Sequence, residues 1–188
     1  MILSFFEIFN IILVILGVGF IFQGLFPLRG TKRDVLDTFT KGFDWSEFWF
    51  VCKVAAPGII LHEMGHKFVA LAFGLQAIFH ASYFGLIVGI ILKLLGSGFI
   101  FLAPGYVSLS GATVVQGMLT ALAGPLINLL LWLLAFFILR RKGSMSRRTV
   151  IFWSLTEQMN KWLFIFNMLP LPPLDGSKFW LPLFSLLF

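Results

Sequence analysis

Long apolar runs, separated by short polar segments, dominate the pattern of this chain. The first covers residues 8–28, and about 20 apolar residues are enough for a helix to cross a bilayer. No basic segment precedes it and no A-x-A cleavage site follows it, so we predict a retained membrane helix rather than a signal peptide. Residues 29–47 carry charges of both signs and are expected to form a solvated connector.

The second apolar run, residues 48–74, is interrupted by Ala-Ala-Pro-Gly at positions 55–58. Proline is well tolerated in the first turn of a helix, where its missing N–H has no partner to lose. We therefore predict a broken or kinked segment whose second half, residues 57–74, is helical. Because breaks in the backbone at membrane depth tend to line cavities, this break would mark a site enclosed by protein.

The third apolar run, residues 82–103, has two interpretations. Its length favours a membrane span. However, residues 29–47 and 140–148 are both basic connectors, and if both face the cytoplasm, an even number of spans must separate them. Residues 82–103 would then be a re-entrant element. The alternation of residues 106–110 predicts a short strand after this run.

The fourth run, residues 111–139, is uncharged and is the clearest predicted transmembrane helix. Small residues and one amide recur on one of its faces, which predicts a groove that lets another helix approach closely. The groove residues are Gly117, Ala121, Gly124 and Asn128.

A further helix is predicted over residues 150–170, and it is amphipathic at its start. The prolines at positions 170, 172 and 173 then exclude a continuous helix between residues 167 and 176. A short apolar tail at residues 179–188 follows.

The composition supports a membrane protein. Of the 188 residues, 59% are hydrophobic and only 12% charged, too few to wet the surface of a soluble domain this size. The formal charge of +6 comes from basic residues at the ends of the apolar runs, which indicates membrane-anchoring loops and not nucleic-acid binding.

We predict an all-α, polytopic protein of the cell membrane, a bundle of about five to six transmembrane or re-entrant segments with a small β-like element near the candidate site. Residues 1–47 would form an N-terminal helix and connector, and residues 48–188 the membrane-embedded core.

Residues 62–66 read His-Glu-Met-Gly-His, an H-E-x-x-H motif inside the second apolar run. On a helix His62 and His66 share one face, so both imidazoles can bind one metal ion. Glu63 lies beside them, where it can take a proton from a metal-bound water. A hydrolytic zinc site needs three protein ligands and an open position, and a single cysteine excludes cysteine-rich sites. The third ligand must therefore be His80, an aspartate or a glutamate.

Asp175 is a better candidate for the third ligand than His80. It lies in a proline-rigidified segment of an apolar region, where an unpaired carboxylate is costly, whereas His80 is more simply explained as a loop histidine. Two roles are equally consistent with Asn128: an amide that packs between helices, and a contact to the substrate. Asn167 is explained equally well as the cap of the preceding helix. Lys67 is expected to extend its amine towards the membrane surface.

Three motifs in separate apolar runs resemble the site-2 protease family of intramembrane zinc metalloproteases. They are H-E-M-G-H at 62–66, A-G-P-L-I-N at 123–128 and N-M-L-P-L-P-P-L-D-G at 167–176, and they follow the order found in that family. The resemblance implies that His62, His66 and Asp175 bind Zn²⁺ and that Glu63 is the catalytic general base. It also implies that Asn128 helps to position the substrate strand or the oxyanion, and we take Asn167 as a second candidate for such a contact.

From this resemblance we expect an enzyme that cuts transmembrane segments of other membrane proteins, with the lipid bilayer and a membrane-protein substrate as its partners. The oligomeric state stays open. The alternative is a zinc-binding membrane protein without peptidase activity, either a metal transporter or an inactive scaffold. Transport is disfavoured because the ionisable groups converge on one site instead of forming a path, and a degenerate scaffold is disfavoured by the presence of Glu63.

Overall fold

The computed structural model describes residues 2–24, 43–97, 104–141 and 143–187. This part of the chain is mostly helical and contains one two-stranded sheet, which confirms the predicted helical fold with a small β element. Most of the connector predicted at 29–47, and residues 98–103 of the third apolar run, lie outside the described residues. The elements are α1 (Phe5–Phe22), α2 (Trp45–Ala72), β1 (Gln76–Ala81), α3 (Tyr83–Leu94), β2 (Gly105–Ser110), α4 (Val114–Arg140), α5 (Arg147–Asn167) and α6 (Asp175–Leu187).

Helix α1 begins with a capping box. The Ser4 side chain accepts from the Glu7 backbone N–H, and the Glu7 carboxylate accepts from the Ser4 N–H. Buried residues of α1, α2, β1 and α3 then form one apolar core. Its fully buried members include Val14, Val18, Ile21, Val51, Ala55 and Phe79.

Helix α2 is continuous for 28 residues, with Pro57 inside it. Of the two predicted alternatives, a break or a kink, the break is therefore wrong, and the kink stays a prediction. A proline within a helix costs about 3 kcal/mol because it removes one hydrogen bond and crowds the carbonyl four residues earlier. The Pro57 ring is exposed, while Ala55, Ala56, Gly58 and Ile59 around it are buried, so packing on the inner face offsets this cost.

The sheet pairs β1 with β2 in antiparallel register, with Phe79 opposite Val107. Strand β2 confirms the strand predicted at residues 106–110. Strand β1 was not predicted, because its inward positions include the small residues Ala77 and Ala81 while the larger Ile78 points outward.

Helix α3 covers the first part of the apolar run at residues 82–103. It has 12 residues and is about 18 Å long, well short of the roughly 30 Å hydrocarbon core of a bilayer. Because residues 98–103 lie outside the described residues, the choice between a span and a re-entrant element stays a prediction.

Helix α4 packs against α2, α5 and α6, and therefore lies at the centre of the second half of the fold. Its limits agree with the helix predicted at 111–139. Among the described residues, α1 and α4 are the two helices that are long and apolar enough to cross a membrane. Helix α5 ends at Asn167, and a turn containing the prolines leads to α6.

Candidate metal centre

Three side chains from two helices meet at one point. His62 and His66 lie one turn apart on α2, and their Nε2 atoms are 3.1 Å apart. Asp175 is the first residue of α6, and its Oδ2 lies 3.0 Å from Nε2 of His62 and 3.1 Å from Nε2 of His66. The structure thus brings together the three ligands predicted from the sequence, although 109 residues separate His66 from Asp175.

The spacing of these three atoms fits a zinc ion. A tetrahedral zinc with bonds of about 2.0–2.1 Å holds its ligand atoms roughly 3.3 Å apart. The observed separations of 3.0–3.1 Å are within a few tenths of an ångström of that value. Two imidazoles and one carboxylate are also a donor set found in hydrolytic zinc sites, which keep a fourth position open for water.

Each histidine is oriented by an acceptor on its other ring nitrogen. Nδ1 of His62 lies 2.6 Å from Oδ1 of Asn128, and Nδ1 of His66 lies 2.7 Å from the Thr120 carbonyl oxygen. A carbonyl can only accept, so the proton of each ring sits on Nδ1 and Nε2 is left with a free lone pair. This is the tautomer that binds a metal through Nε2.

Asn128 is held by contacts on both ends of its amide. Its Nδ2 donates to the Gly58 carbonyl at 2.9 Å and to Oδ1 of Asn160 at 3.0 Å, and the residue is 0% exposed. Because Gly58 O can only accept, the amide is fixed with its oxygen towards His62. These contacts make Asn128 an orienting partner of His62, and a role in contacting substrate stays a prediction.

The two helices that carry these groups approach each other closely where they lack side chains. A Cβ on Gly124 would lie 2.8 Å from Nε2 of His62 and closer still to Nε2 of His66. A Cβ on Gly65 would lie 3.0 Å from the Ala123 carbonyl oxygen. Of the predicted groove residues, Ala121, Gly124 and Asn128 are buried, whereas a Cβ on Gly117 would meet nothing within 4 Å.

The turn before α6 aims Asp175 at the histidines. A Cβ on Gly176 would collide with the Met168 and Leu169 carbonyls, so the start of α6 is pressed against the end of α5. The Trp180 indole donates to Met168 O at 2.9 Å and holds the same two elements together. Lys178 lies 3.3 Å from Oδ1 of Asp175, the oxygen that does not face the histidines. No pattern in the sequence marks Lys178 as part of this site.

Glu63 follows His62 and is partly exposed, with no hydrogen bond or ion pair to any described residue. Its carboxylate is therefore free to act on a water molecule at the site. Asn167 is the last residue of α5, also partly exposed, and its side chain has no hydrogen bond in the described structure. His80 is not part of the cluster, because its ring stacks on Tyr106 in the sheet and its Nε2 lies 3.0 Å from Ser108 Oγ.

The position of the Lys67 side chain contradicts one prediction. The lysine is 1% exposed and pairs with Glu7 of α1, so the expectation that it extends to the membrane surface is wrong. Glu7 lies directly before the first apolar run, so the sequence indicates that its carboxylate needs a partner but does not identify Lys67 as that partner.

This chain is similar to two proteins that are named as zinc metalloproteases. The protein named "Putative zinc metalloprotease MJ0611" from Methanocaldococcus jannaschii is 36% identical over 179 residues, which cover 92% of this chain and 82% of that protein. The protein named "Putative zinc metalloprotease YwhC" from Bacillus subtilis is 33% identical over 139 residues, which cover 63% of this chain and 61% of that protein. The chain belongs to this zinc metalloprotease family. No protein-family model matches the chain, and no solved structure matches it.

Family membership and geometry agree on the cofactor. The relatives are named for zinc, and the donor set and spacing at His62, His66 and Asp175 are consistent with zinc. Among the described residues, this is the group of histidine and carboxylate side chains close enough together to hold a metal ion.

Proposed function

We propose that this chain is an intramembrane zinc metallopeptidase of the site-2 protease type, which hydrolyses peptide bonds in transmembrane segments of other membrane proteins. The observation that carries the proposal is the meeting of His62, His66 and Asp175 with Glu63 free beside them. The membrane setting is supported by α1 and α4, both long and apolar enough to span, and by the 59% hydrophobic composition. The protein would be a multi-pass protein of the cell membrane, with residues 48–188 as its catalytic core.

The roles in hydrolysis follow from the positions of the side chains. Zinc held by His62, His66 and Asp175 would supply Lewis-acid activation of a water molecule and of the scissile carbonyl. Glu63 accepts a proton from the attacking water and passes it to the leaving amine. Asn128 and the Thr120 carbonyl keep both imidazoles in the tautomer that binds through Nε2.

A transmembrane substrate must be unwound before it is cut, because the hydrogen bonds of a helix shield its peptide groups. Strand β2 offers an edge to which an extended segment can add. Phe79 donates its N–H to Glu7, away from β2, and it pairs with Val107. Phe79 and Val107 are therefore a non-hydrogen-bonded pair of the antiparallel sheet, in which neither residue bonds to the other strand. The N–H and C=O of Val107 accordingly point away from β1, towards the outer edge of β2. Because backbone orientation repeats every second residue of a strand, the N–H and C=O of Gly105 and Leu109 also point away from β1. Within the described residues, no further strand pairs with this edge.

The proposal is tested with a protein substrate that carries a transmembrane segment, reconstituted with the enzyme in liposomes. Glu63→Gln should abolish cleavage and leave zinc bound, because Glu63 is not a ligand. Glu157→Gln is the matched control, since it removes a carboxylate from α5 that has no hydrogen bond or ion pair in the described structure. Cleavage by Glu63→Gln at the parental rate would exclude Glu63 as the base. Zinc uptake into liposomes without cleavage of any substrate would favour the transporter alternative.

A further inference from the structure

A buried ion pair joins α1 to the helix that carries the histidines. Glu7 is 3% exposed and Lys67 is 1% exposed, and the lysine amine donates to Oε1 of the carboxylate. Lys67 directly follows His66 on α2. The same Oε1 accepts the Phe79 backbone N–H at 2.8 Å, and Oε2 accepts the Ser4 N–H at 2.8 Å. One carboxylate therefore contacts α1, α2 and β1.

Stability alone does not explain this pair. Removing two charges from water is costly, and apolar side chains of similar volume often replace a buried ion pair at no loss of stability. The carboxylate offers something that an apolar contact does not, which is a fixed acceptor for one particular backbone N–H. That N–H belongs to the outer edge of β1, where it has no partner in the sheet.

The anchor fixes the sheet relative to the metal ligands. Lys67 is held by its place next to His66, Glu7 is held by Lys67, and Phe79 is held by Glu7. Phe79 lies opposite Val107, whose backbone groups are at the free edge of β2. A displacement of β1 along its length would therefore displace that edge relative to the histidines by the same amount.

We infer that Glu7 is a positioning residue which sets the register of the substrate strand against the metal centre, through its hydrogen bond to the Phe79 N–H. The inference rests on the proposed function, because it assumes that a substrate strand adds to β2. Glu7 does not touch the substrate. It determines which peptide bond of the bound strand lies at the metal.

Two double variants isolate the hydrogen bond from the charge. Glu7→Gln/Lys67→Met and Glu7→Leu/Lys67→Met both remove the ion pair without leaving a buried unpaired charge. They differ in that glutamine still offers an oxygen to the Phe79 N–H, whereas leucine offers none to that group or to the Ser4 N–H. Ser4→Ala is the control for a weakened start of α1, because it removes the cap and leaves the anchor in place.

The measurements are the cleavage position by mass spectrometry, KM and kcat on the transmembrane substrate, and zinc content. We expect Glu7→Leu/Lys67→Met to raise KM roughly 5–10-fold, the equivalent of one hydrogen bond, with zinc content unchanged. We also expect it to yield a second product displaced by two residues, the repeat of a strand. Glu7→Gln/Lys67→Met and Ser4→Ala should cut at the parental bond alone.

The outcomes separate the two proposals. If the parent enzyme cuts nothing, the proposed function fails. If the parent cuts and Glu7→Leu/Lys67→Met cuts the same single bond with the parental KM, the function stands and the inference is overturned. Should the leucine variant not fold, Glu7→Asp makes the same test with both charges kept, since it withdraws the carboxylate from Phe79 by one methylene. It should raise KM and mix the products, and parental cleavage by Glu7→Asp would equally overturn the inference.

Discussion

The absence of a side chain at Gly124 is what allows α4 to pass directly over the candidate zinc ligands, and Gly124→Ala tests this. The added Cβ would lie 2.8 Å from Nε2 of His62, where ordinary contact begins at 3.4 Å. The His66 Nε2 atom lies even closer to that position. Both imidazoles are also held from α4 itself, through Asn128 and the Thr120 carbonyl. The clash is therefore between groups that are tied to each other.

The size of the effect follows from the distances. Restoring ordinary contact requires a movement of at least 3.4 − 2.8 = 0.6 Å between α4 and the His62 ring. Zinc–ligand distances tolerate only about 0.2 Å. A movement of this size would displace Asn128 and the Thr120 carbonyl, which orient the two histidines. It should lower zinc affinity about 10–100-fold, which corresponds to roughly 1.4–2.8 kcal/mol of binding free energy. Alanine gains about 1 kcal/mol over glycine in helix propensity, so a loss of zinc cannot be attributed to a weaker helix.

The assay is zinc retained per protein chain after equilibration with a series of competing chelators, measured by mass spectrometry, together with the rate of cleavage. Gly117→Ala is the matched control, because it lies on the same helix and its Cβ would meet nothing within 4 Å. It should bind zinc as the parent does and be equally or more stable to heat. Parental zinc affinity and parental cleavage by Gly124→Ala would refute the close crossing of α4 over the histidines.

Two further predictions concern the ligands and their support. Asn128→Leu should lower zinc affinity about 10–100-fold in the same chelator competition, because Nδ1 of His62 loses its partner and the Gly58 carbonyl loses one of its donors. An unchanged affinity would show that His62 needs no such support. Asp175→Ala should release zinc while His80→Ala retains it, since the His80 ring contacts Tyr106 and Ser108 in the sheet; zinc analysis of the two purified variants decides, and the reverse result would replace the proposed third ligand.

The three residues that meet at the metal centre could be predicted because each has a feature that is visible in the sequence, either a characteristic spacing or a charge in an apolar region. His62 and His66 are spaced for one helix face, and Asp175 is a carboxylate in an apolar, proline-rich region. The groove on α4 was visible as a repeat of small residues, and its central member Gly124 lies at the site.

Features that depend on pairing between distant elements could not be predicted in the same way. Strand β1 has alanines at two inward positions and isoleucine at an outward one, so its pattern does not show which face is buried until β2 lies beside it. The pairing of Glu7 with Lys67 is a second example, because the sequence does not reveal that these two residues, 60 positions apart, lie opposite each other. The apolar neighbours of Glu7 indicate that a partner is needed, but not which one.

The continuity of α2 through Pro57 has a consequence for the metal centre that a broken helix would not provide. Asn128 reaches the Gly58 carbonyl with its nitrogen and the His62 ring with its oxygen. Gly58 and His62 are four residues apart, so a single amide can contact both only if they stand one turn apart on one face. A break after Pro57 would separate them and free the His62 ring to rotate. Asn160 of α5 lies against Gly58 and accepts from the same amide, so the unbroken turn also fixes where α5 packs. Pro57 itself lies on the exposed side of α2, so its ring leaves these contacts on the inner side of the turn undisturbed.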